Sequence, residues 1–366
     1  MSTNNRTGRK RDYVGVLSSV FAIVIGLLVG FVILLICNPS QALPGFVTIL
    51  TGAFTHGLKG VGQVFYYATP IILTGLSVGF AFKTGLFNIG TPGQFIVGAF
   101  AAVYVGIMWT GLGRIQWAVA LLAAILGGAL WGMVPGFLKA CFNVNEVIAS
   151  IMMNYIGMYM VNWIVKSYKP LFNNLRNESR NVAATAQIPK MGMDKLFPES
   201  SVGGGILLAI AAVLIIWVIL NKTTFGYELK AVGFNRDASR YAGINEKRNI
   251  IMSMVIAGAI AGMAGGLLYL AGTGKHIEIK DVLASEGFTG ISVALLGLSH
   301  PIGVLFSGLF IAYLTAGGFY LQLFEFSTEI IDIIVAVIIY FSAFALIVKT
   351  FLTRMNRKRE KGGGQI

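Results

Sequence analysis

The sequence predicts an all-α membrane protein with about ten transmembrane helices. Of its 366 residues, 56% are hydrophobic and only 12% are charged, which is too apolar for a soluble globular protein. The apolar residues are gathered in runs of about 20, the length that crosses a bilayer as a helix. The 46 glycines are typical of membrane helices that pack closely. No segment outside these runs is long enough to fold separately, so residues 1–366 are predicted to form one transmembrane domain.

Polar or glycine-rich stretches separate the predicted spans. The spans cover residues 13–37, 64–82, 94–112, 117–138, 147–165, 205–220, 250–271, 282–298, 302–317 and 330–348. The first apolar run is too long for a cleaved signal peptide and is interpreted as a retained span. After it, Phe46, Ile49, Leu50, Phe54 and Leu58 recur at helical spacing, which indicates a short helix lying in the membrane interface.

The distribution of Lys and Arg sets the predicted orientation. With ten spans both termini share one side, and placing them inside puts 18 basic residues in cytoplasmic segments and 10 in external ones. The cytoplasmic parts then include a polar loop at 221–249 and a basic tail at 349–366, whereas the loop at 166–202 is external. Because most of the net charge of +13 flanks spans, no nucleic-acid partner is expected.

The cytoplasmic loop at 221–249 carries the signals of a short helix. Asn235 is a suitable N-cap, Asp237 lies in the first turn, where the helix dipole favours an anion, and Gly243 can end the helix. Ala238, Tyr241 and Ala242 then share a small apolar face, which indicates a surface that a soluble partner grips. A helix lying on anionic lipid is the alternative interpretation.

Two stretches interrupt the helical pattern, one in each half of the chain. The first is 83–94, with three glycines and a proline, and the second comprises 286–291 and 297–301. Non-helical backbone is tolerated in a membrane only where protein buries it or where it lines a cavity. The stretches therefore indicate a transport pathway between two internal repeats, with two tightly packed cytoplasmic turns as the alternative.

Three amide side chains near these stretches are the candidate pathway residues. Asn88, Gln94 and Asn154 are uncharged and can hydrogen-bond the hydroxyls and ring edges of a neutral polar solute. A structural role, in which an amide ties neighbouring helices together, is equally open for Asn154.

The sequence offers no signal for chemistry within this chain. Charged residues lie near span ends and form no ladder of the kind that proton-driven pumps use. His56, His276 and His300 are scattered, Cys37 and Cys141 have no metal-ligand spacing, and no phosphate-binding loop or catalytic motif occurs. We therefore predict no catalytic residue, no metal site and no cofactor here, and expect the energy for transport to come from elsewhere.

Four motifs in the same order carry a family resemblance. They are GLFNIGTPGQFIVGAF from Gly85, NEVIASIMMNYI from Asn145, AVGFNRDASRYAGI from Ala231 and GFTGISVALLGLSHPIGVLFSGLF from Gly287. They resemble the permease subunits of bacterial ATP-binding-cassette (ABC) importers for branched-chain amino acids, ribose-type sugars and nucleosides. The NIG-x-x-GQ and NEV-x-x-x-x-x-NYI patterns are most similar to the nucleoside and related simple-sugar permeases. The chain departs from the family at Pro92, where relatives often carry an acidic residue.

The resemblance implies a type II ABC-importer permease with broken or re-entrant helices, in a bacterial plasma membrane with both termini cytoplasmic. It also implies a second permease subunit of a distinct homologous chain, two ATP-binding subunits that hold ATP and Mg, and an extracytoplasmic substrate-binding lipoprotein. The 221–249 loop then resembles the loop that couples the permease to the ATPase. Its predicted coupling residues are Gly233, Arg236, Ala238, Tyr241, Ala242, Gly243 and Ile244.

Two other classes of function account for fewer of these sequence features than an importer permease does. A self-sufficient secondary transporter or facilitator of a small polar solute would account for the broken helices without any partner. It leaves the 221–249 loop unexplained, and the spans lack carboxylates for a coupling ion. A membrane enzyme acting on lipid would need a nucleophile or a metal cluster at the interface, and the sequence shows neither.

Overall fold

The computed structural model describes residues 4–324 together with 326, 333, 334, 336, 337, 340 and 341. That part of the chain is almost wholly helical. The α-helices are α1 (Asn4–Cys37), α2 (Ala42–Thr55), α3 (Gly57–Phe82), α4 (Thr91–Met108), α5 (Gln116–Phe142), α6 (Glu146–Ser167), α7 (Met193–Leu196), α8 (Gly205–Lys222), α9 (Thr224–Phe234), α10 (Arg236–Tyr241), α11 (Glu246–Tyr269), α12 (Ser285–Leu296) and α13 (Pro301–Phe319). Short 3-10 helices occur at Thr110–Ile115, Ala184–Ala186 and Tyr320–Phe324.

Within the described residues, seven helices are long and apolar enough to cross a membrane. They are α3, α4, α5, α6, α8, α11 and α13, the last extended by the 3-10 turn that follows it, and they correspond to seven predicted spans. The prediction of an all-α, multi-span protein is therefore confirmed. Helix α1 covers the first predicted span but begins earlier, at Asn4. Predicted span 282–298 contains α12, whose 12 residues are too few to cross a bilayer. The last predicted span, 330–348, lies outside the described residues apart from six positions, so the count of ten spans stays a prediction.

The short helix expected after the first span is α2, but its packing differs from the predicted face. Of the five apolar residues that were expected to share that face, Ile49 is buried, whereas Phe54 and Leu58 are mostly exposed. The close contacts run instead through small residues. A Cβ at Gly317 of α13 would lie 2.3 Å from the carbonyl oxygen of Ile49, so the backbones of α2 and α13 lie against each other.

The first interruption is present and is shorter than predicted. Helix α3 ends at Phe82 and α4 begins at Thr91, so 83–90 is non-helical, whereas the last four residues of the predicted stretch are helical. Pro92 belongs to the first turn of α4. Its fixed φ suits that turn, and its missing N–H would have had no partner there. The proline therefore starts the helix.

The second interruption lies only partly where the sequence placed it. The stretch 286–291 was predicted to be broken, which is wrong, because it forms the first half of α12. Its glycines mark close helix contact, since a Cβ at Gly290 would lie 2.6 Å from the backbone of Thr74 in α3. The break at 297–301 is confirmed: Leu298 and Ser299 have φ values of 54° and 53°, and α13 begins at Pro301.

The 166–202 loop contains small elements that the sequence did not predict. Strands β1 (Phe172–Asn173) and β2 (Glu178–Ser179) form an antiparallel hairpin. The hairpin is fastened to the segment that follows α11, because Ser179 N donates to Ile277 O at 2.9 Å and Ile277 N donates to Ser179 Oγ at 3.0 Å.

Helices α5 and α11 contact each other through backbone atoms. A Cβ at Gly128 of α5 would lie 2.2 Å from the carbonyl oxygen of Gly258 and 2.7 Å from Cα of Gly262. Gly127, its neighbour in the same helix, would bring a Cβ no closer than 3.2 Å, to the side chain of Ala101. Of these two positions, only Gly128 therefore requires the absence of a side chain.

We expect Gly128→Ala to lower the stability of the protein by about 1–3 kcal/mol, because the added methyl group forces the α5 and α11 backbones apart. Gly127→Ala is the matched control, since it gives the same change in helix propensity one residue away. The measurement is the thermal unfolding midpoint of the detergent-purified protein. Equal midpoints for the two variants would contradict this account of the contact.

Candidate functional site

The short helix predicted in the 221–249 loop is α10. Its N-cap is Asn235, whose Oδ1 accepts from the backbone N–H of Ala238 at 2.9 Å. Gly243 follows the helix with a φ of 82°, a conformation that favours glycine. Both ends of the helix are therefore formed by the residues that the sequence singled out. Helix α9, which precedes it directly, was not predicted.

The predicted apolar face of α10 points away from the protein. Ala238, Tyr241 and Ala242 are all exposed, and the side chain of Tyr241 is 95% exposed. Phe234, at the end of α9, is 89% exposed. The opposite face is covered, because Ser239 is buried and Ile244 packs against the apolar cluster around Ile250. A polar loop thus presents aromatic and small apolar groups to its surroundings.

Two of the contacts that hold the loop to the spans involve predicted coupling residues. A Cβ at Gly233 of α9 would lie 2.4 Å from the carbonyl oxygen of Lys83, so α9 lies against the first interruption. Arg236 and Glu246 form an ion pair at 4.0 Å, which ties α10 to the first turn of α11. At the first contact, burial and then the charge of Lys230 lower the pKa of Lys83. The predicted coupling residues therefore divide into exposed groups and groups that hold the loop to the spans.

The three candidate pathway amides form one buried group. Asn88 and Gln94 exchange two hydrogen bonds, of 2.9 and 3.0 Å, and Asn88 Nδ2 also donates to Ser77 Oγ at 3.3 Å. Asn154 accepts from Gly93 N at 2.8 Å and donates to Ile89 O at 2.9 Å. In this conformation the amides hold α3, α6 and the start of α4 together. Their contact with a solute stays a prediction.

A cavity that the sequence did not indicate lies between α3, α11, α12 and α13. We call it the vestibule; it has a volume of about 690 Å³. Its lining includes Tyr66, Tyr67, Lys275, Glu286, Phe288 and Thr289. The size falls within the range of about 300–1,000 Å³ that is typical of small-molecule sites. One sequence feature points to this cavity: a carboxylate, Glu286, lies next to a glycine within an otherwise apolar part of the chain.

A salt bridge lies in the wall of the vestibule. Lys275 Nζ and Glu286 Oε1 are 2.9 Å apart, and neither side chain is more than 39% exposed. Burial opposes the charge of Lys275, yet the adjacent Glu286 carboxylate raises its pKa above the usual value. Among the described residues, no group of three or more His, Cys, Asp or Glu side chains could hold a metal ion.

Helices long and apolar enough to cross a membrane, with interruptions after α3 and after α12 and a loop that presents an exposed capped helix, are typical of a membrane transport permease. The chain belongs to the family described as branched-chain amino acid transport system / permease component, whose model matches residues 60–343. No solved structure matches the chain.

Curated relatives match nearly the whole chain. It is 38% identical to the guanosine ABC transporter permease protein NupP of Bacillus subtilis, over 93% of this chain and 96% of that protein. It is 34% identical to the nucleoside ABC transporter permease protein NupB of Lactococcus lactis, over 96% and 95% respectively. It is 31% identical to the glucose ABC transporter permease protein TsgB13 of Haloferax volcanii, over 81% and 78%. Second permease proteins from the first two bacteria, NupQ and NupC, also match.

The amide group yields a prediction that separates its two roles. If Asn88 and Gln94 contact solute, Asn88→Leu and Gln94→Leu each reduce uptake while the protein reaches the membrane at a near-normal level. If they only join helices, each single change removes the amide partner of the other buried residue, which lowers stability by about 1–3 kcal/mol, and the double change recovers part of that loss. Uptake and the thermal unfolding midpoint are measured on all three variants.

Gln116→Leu is the matched control for these variants. Gln116 is a fully buried amide that bonds the carbonyl groups of Val105 and Gly106, away from the amide group. We expect it to lower stability without a specific effect on transport. Unchanged uptake by Asn88→Leu and Gln94→Leu at normal protein levels would remove both residues from the pathway.

Proposed function

We propose that the chain is the transmembrane permease of an ATP-driven importer and forms the translocation pathway for nucleosides. The coupling of this permease to an ATPase is supported by α10, which is exposed and capped. In the same loop, the backbone of α9 lies against the first interruption. The names of NupP and NupB support the nucleoside part, since both match this chain over more than nine-tenths of its length. A simple sugar is the alternative substrate, because the similar protein TsgB13 is named as a glucose permease.

The rest of the importer is supplied by other chains. The pairing of NupP with NupQ, and of NupB with NupC, in the same bacteria supports a second, distinct permease. Two ATP-binding subunits would carry ATP and Mg and grip the 221–249 loop from the cytoplasm. A substrate-binding lipoprotein would deliver nucleoside to the outer face, where the 166–202 loop lies. This arrangement places the protein in a bacterial plasma membrane with both termini and the 349–366 tail inside, as the bias of 18 against 10 basic residues favours.

Uptake by the complete importer tests this function. Proteoliposomes that contain both permeases, the ATP-binding subunits and the binding protein should accumulate labelled guanosine only with ATP on the cytoplasmic face. Replacing the phosphate-loop lysine of the ATP-binding subunit should abolish accumulation. Guanosine entry through this chain alone, without ATP, would instead support a facilitator. Uptake of glucose but not guanosine would overturn the proposed substrate.

The coupling role predicts the behaviour of Ala242→Glu. The added carboxylate would enter the contact between α10 and the ATP-binding subunit, with steric overlap and a desolvation cost on the order of a few kcal/mol. Ala242 is exposed and lies outside the spans, so the variant should reach the membrane at a normal level. We expect it to lose uptake, and either to lose the ATP-binding subunit on purification or to keep it without substrate-stimulated hydrolysis.

Thr224→Glu is the control, because it adds the same charge to an exposed position in the first turn of α9. If α10 only lies on anionic lipid, each added charge weakens attachment by about 1 kcal/mol, and both variants keep most of their uptake. Normal uptake by Ala242→Glu at normal expression would remove the coupling role. Since an ATP-binding subunit reaches the loop only from the cytoplasm, the same result would count against the proposed orientation.

A further inference from the structure

We propose that the vestibule is a binding site for the solute inside the permease, and that Glu286 favours uncharged nucleosides over their phosphorylated forms. The inference rests on the proposed function and adds a site and a selectivity to it. It differs from the amide group, because Asn88, Gln94 and Asn154 do not line the vestibule.

The lining of the vestibule suits a solute that has both a planar ring and hydroxyl groups. Tyr66 and Tyr67 lie side by side with ring centroids 5.3 Å apart, and Phe288 of α12 is 40% exposed. Such rings offer apolar faces on which a nucleobase can stack. Hydroxyl groups of Ser285 and Thr289 share the wall with them. A few polar groups in a mainly apolar cavity are what orient a small ligand.

The charges of the vestibule favour a neutral solute. Among its described lining residues, Lys275 and Glu286 carry the only formal charges, and they neutralise each other at 2.9 Å. A carboxylate has about four acceptor positions, and the bonds from Lys275 and Ser285 occupy two of those on Glu286. The remaining positions can accept from ribose hydroxyls or a ring N–H. A phosphate group would instead bring negative charge against this carboxylate.

Glu286 lies where α12 packs against the start of α4, directly after the first interruption. It belongs to the first turn of α12, a helix of 12 residues, which is too short to cross a bilayer. The next residue, Gly287, lies against Pro92 at the start of α4. Lys275, Ser285 and Glu286 also line a second cavity of about 330 Å³. The ion pair therefore lines both cavities, beside the contact between α12 and the start of α4.

Photolabelling of the complete importer in nanodiscs tests the site. Tritiated 8-azidoguanosine should label peptides that contain 66–71 or 285–292, and unlabelled guanosine should protect them. Guanosine 5′-monophosphate should protect at least about tenfold less well. Labelling of 88–94 in place of these peptides would overturn the vestibule as the site.

Substitutions test the selectivity. Glu286→Gln should weaken protection by guanosine about tenfold or more, whereas Glu199→Gln should leave it unchanged, because Glu199 belongs to an exposed ion pair with Lys59. The exchanged pair Lys275→Glu/Glu286→Lys keeps opposite charges in contact, so it controls for folding. It should improve protection by guanosine 5′-monophosphate relative to guanosine, a change that a purely structural salt bridge would not produce.

Uptake of guanosine by the unaltered importer, measured alongside, separates the two proposals. If guanosine is taken up but labelling and selectivity do not change as stated, only the vestibule inference is overturned. If the importer takes up no guanosine and none is bound in the vestibule, both fail.

Discussion

A bilayer cannot solvate backbone N–H and C=O groups, and the architecture of this permease depends on that constraint. Both interrupted segments contain a helix start, and the first N–H groups of a helix have no partner within it. At the start of α4, Thr91, Pro92 and Gly93 are buried in protein. Gly287 of α12 lies so close to Pro92 of α4 that a Cβ would come within 2.5 Å of the proline nitrogen. Asn154 of α6 supplies an acceptor for the N–H of Gly93. The start of α4 is therefore covered by α6 and α12.

Helix backbones also lie close together elsewhere in the bundle. Gly128 and Gly258 join α5 to α11, and Gly290 brings α12 against Thr74 of α3. Hydrophobic side chains gain little by leaving lipid for another apolar surface, so the contact itself must provide the attraction. Small residues let more atoms approach within van der Waals range. The high glycine content and the packing around the broken helices thus both follow from the need for close contact between backbones.

The sequence predicted the elements whose signals are local. Apolar length located seven spans with helix ends within four residues, except that α3 begins seven residues earlier than predicted. Asn235 with Gly243 located both ends of α10. It failed where tertiary contact overrides propensity: the glycines of 286–291 suggested a break, yet packing against α3 and α4 keeps α12 helical. The vestibule was missed because Tyr66, Lys275 and Glu286 are distant in sequence, and only the fold brings them together. The mutual pairing of Asn88 and Gln94 was equally invisible, since spacing does not reveal hydrogen-bond partners.

An unbroken series of contacts leads from the 221–249 loop to the vestibule. Gly233 of α9 lies against the carbonyl of Lys83 and the backbone of Gly85, and the segment from there to Gly90 leads into α4. The start of α4 then lies against Gly287, beside Glu286 in the vestibule wall. At Gly233 and Gly287 one partner has no side chain, so a displacement cannot be absorbed by a change of rotamer there. Contacts of this kind transmit a displacement of one element to the next. They explain why glycine, which weakens an isolated helix relative to alanine, stands at both contacts of this series.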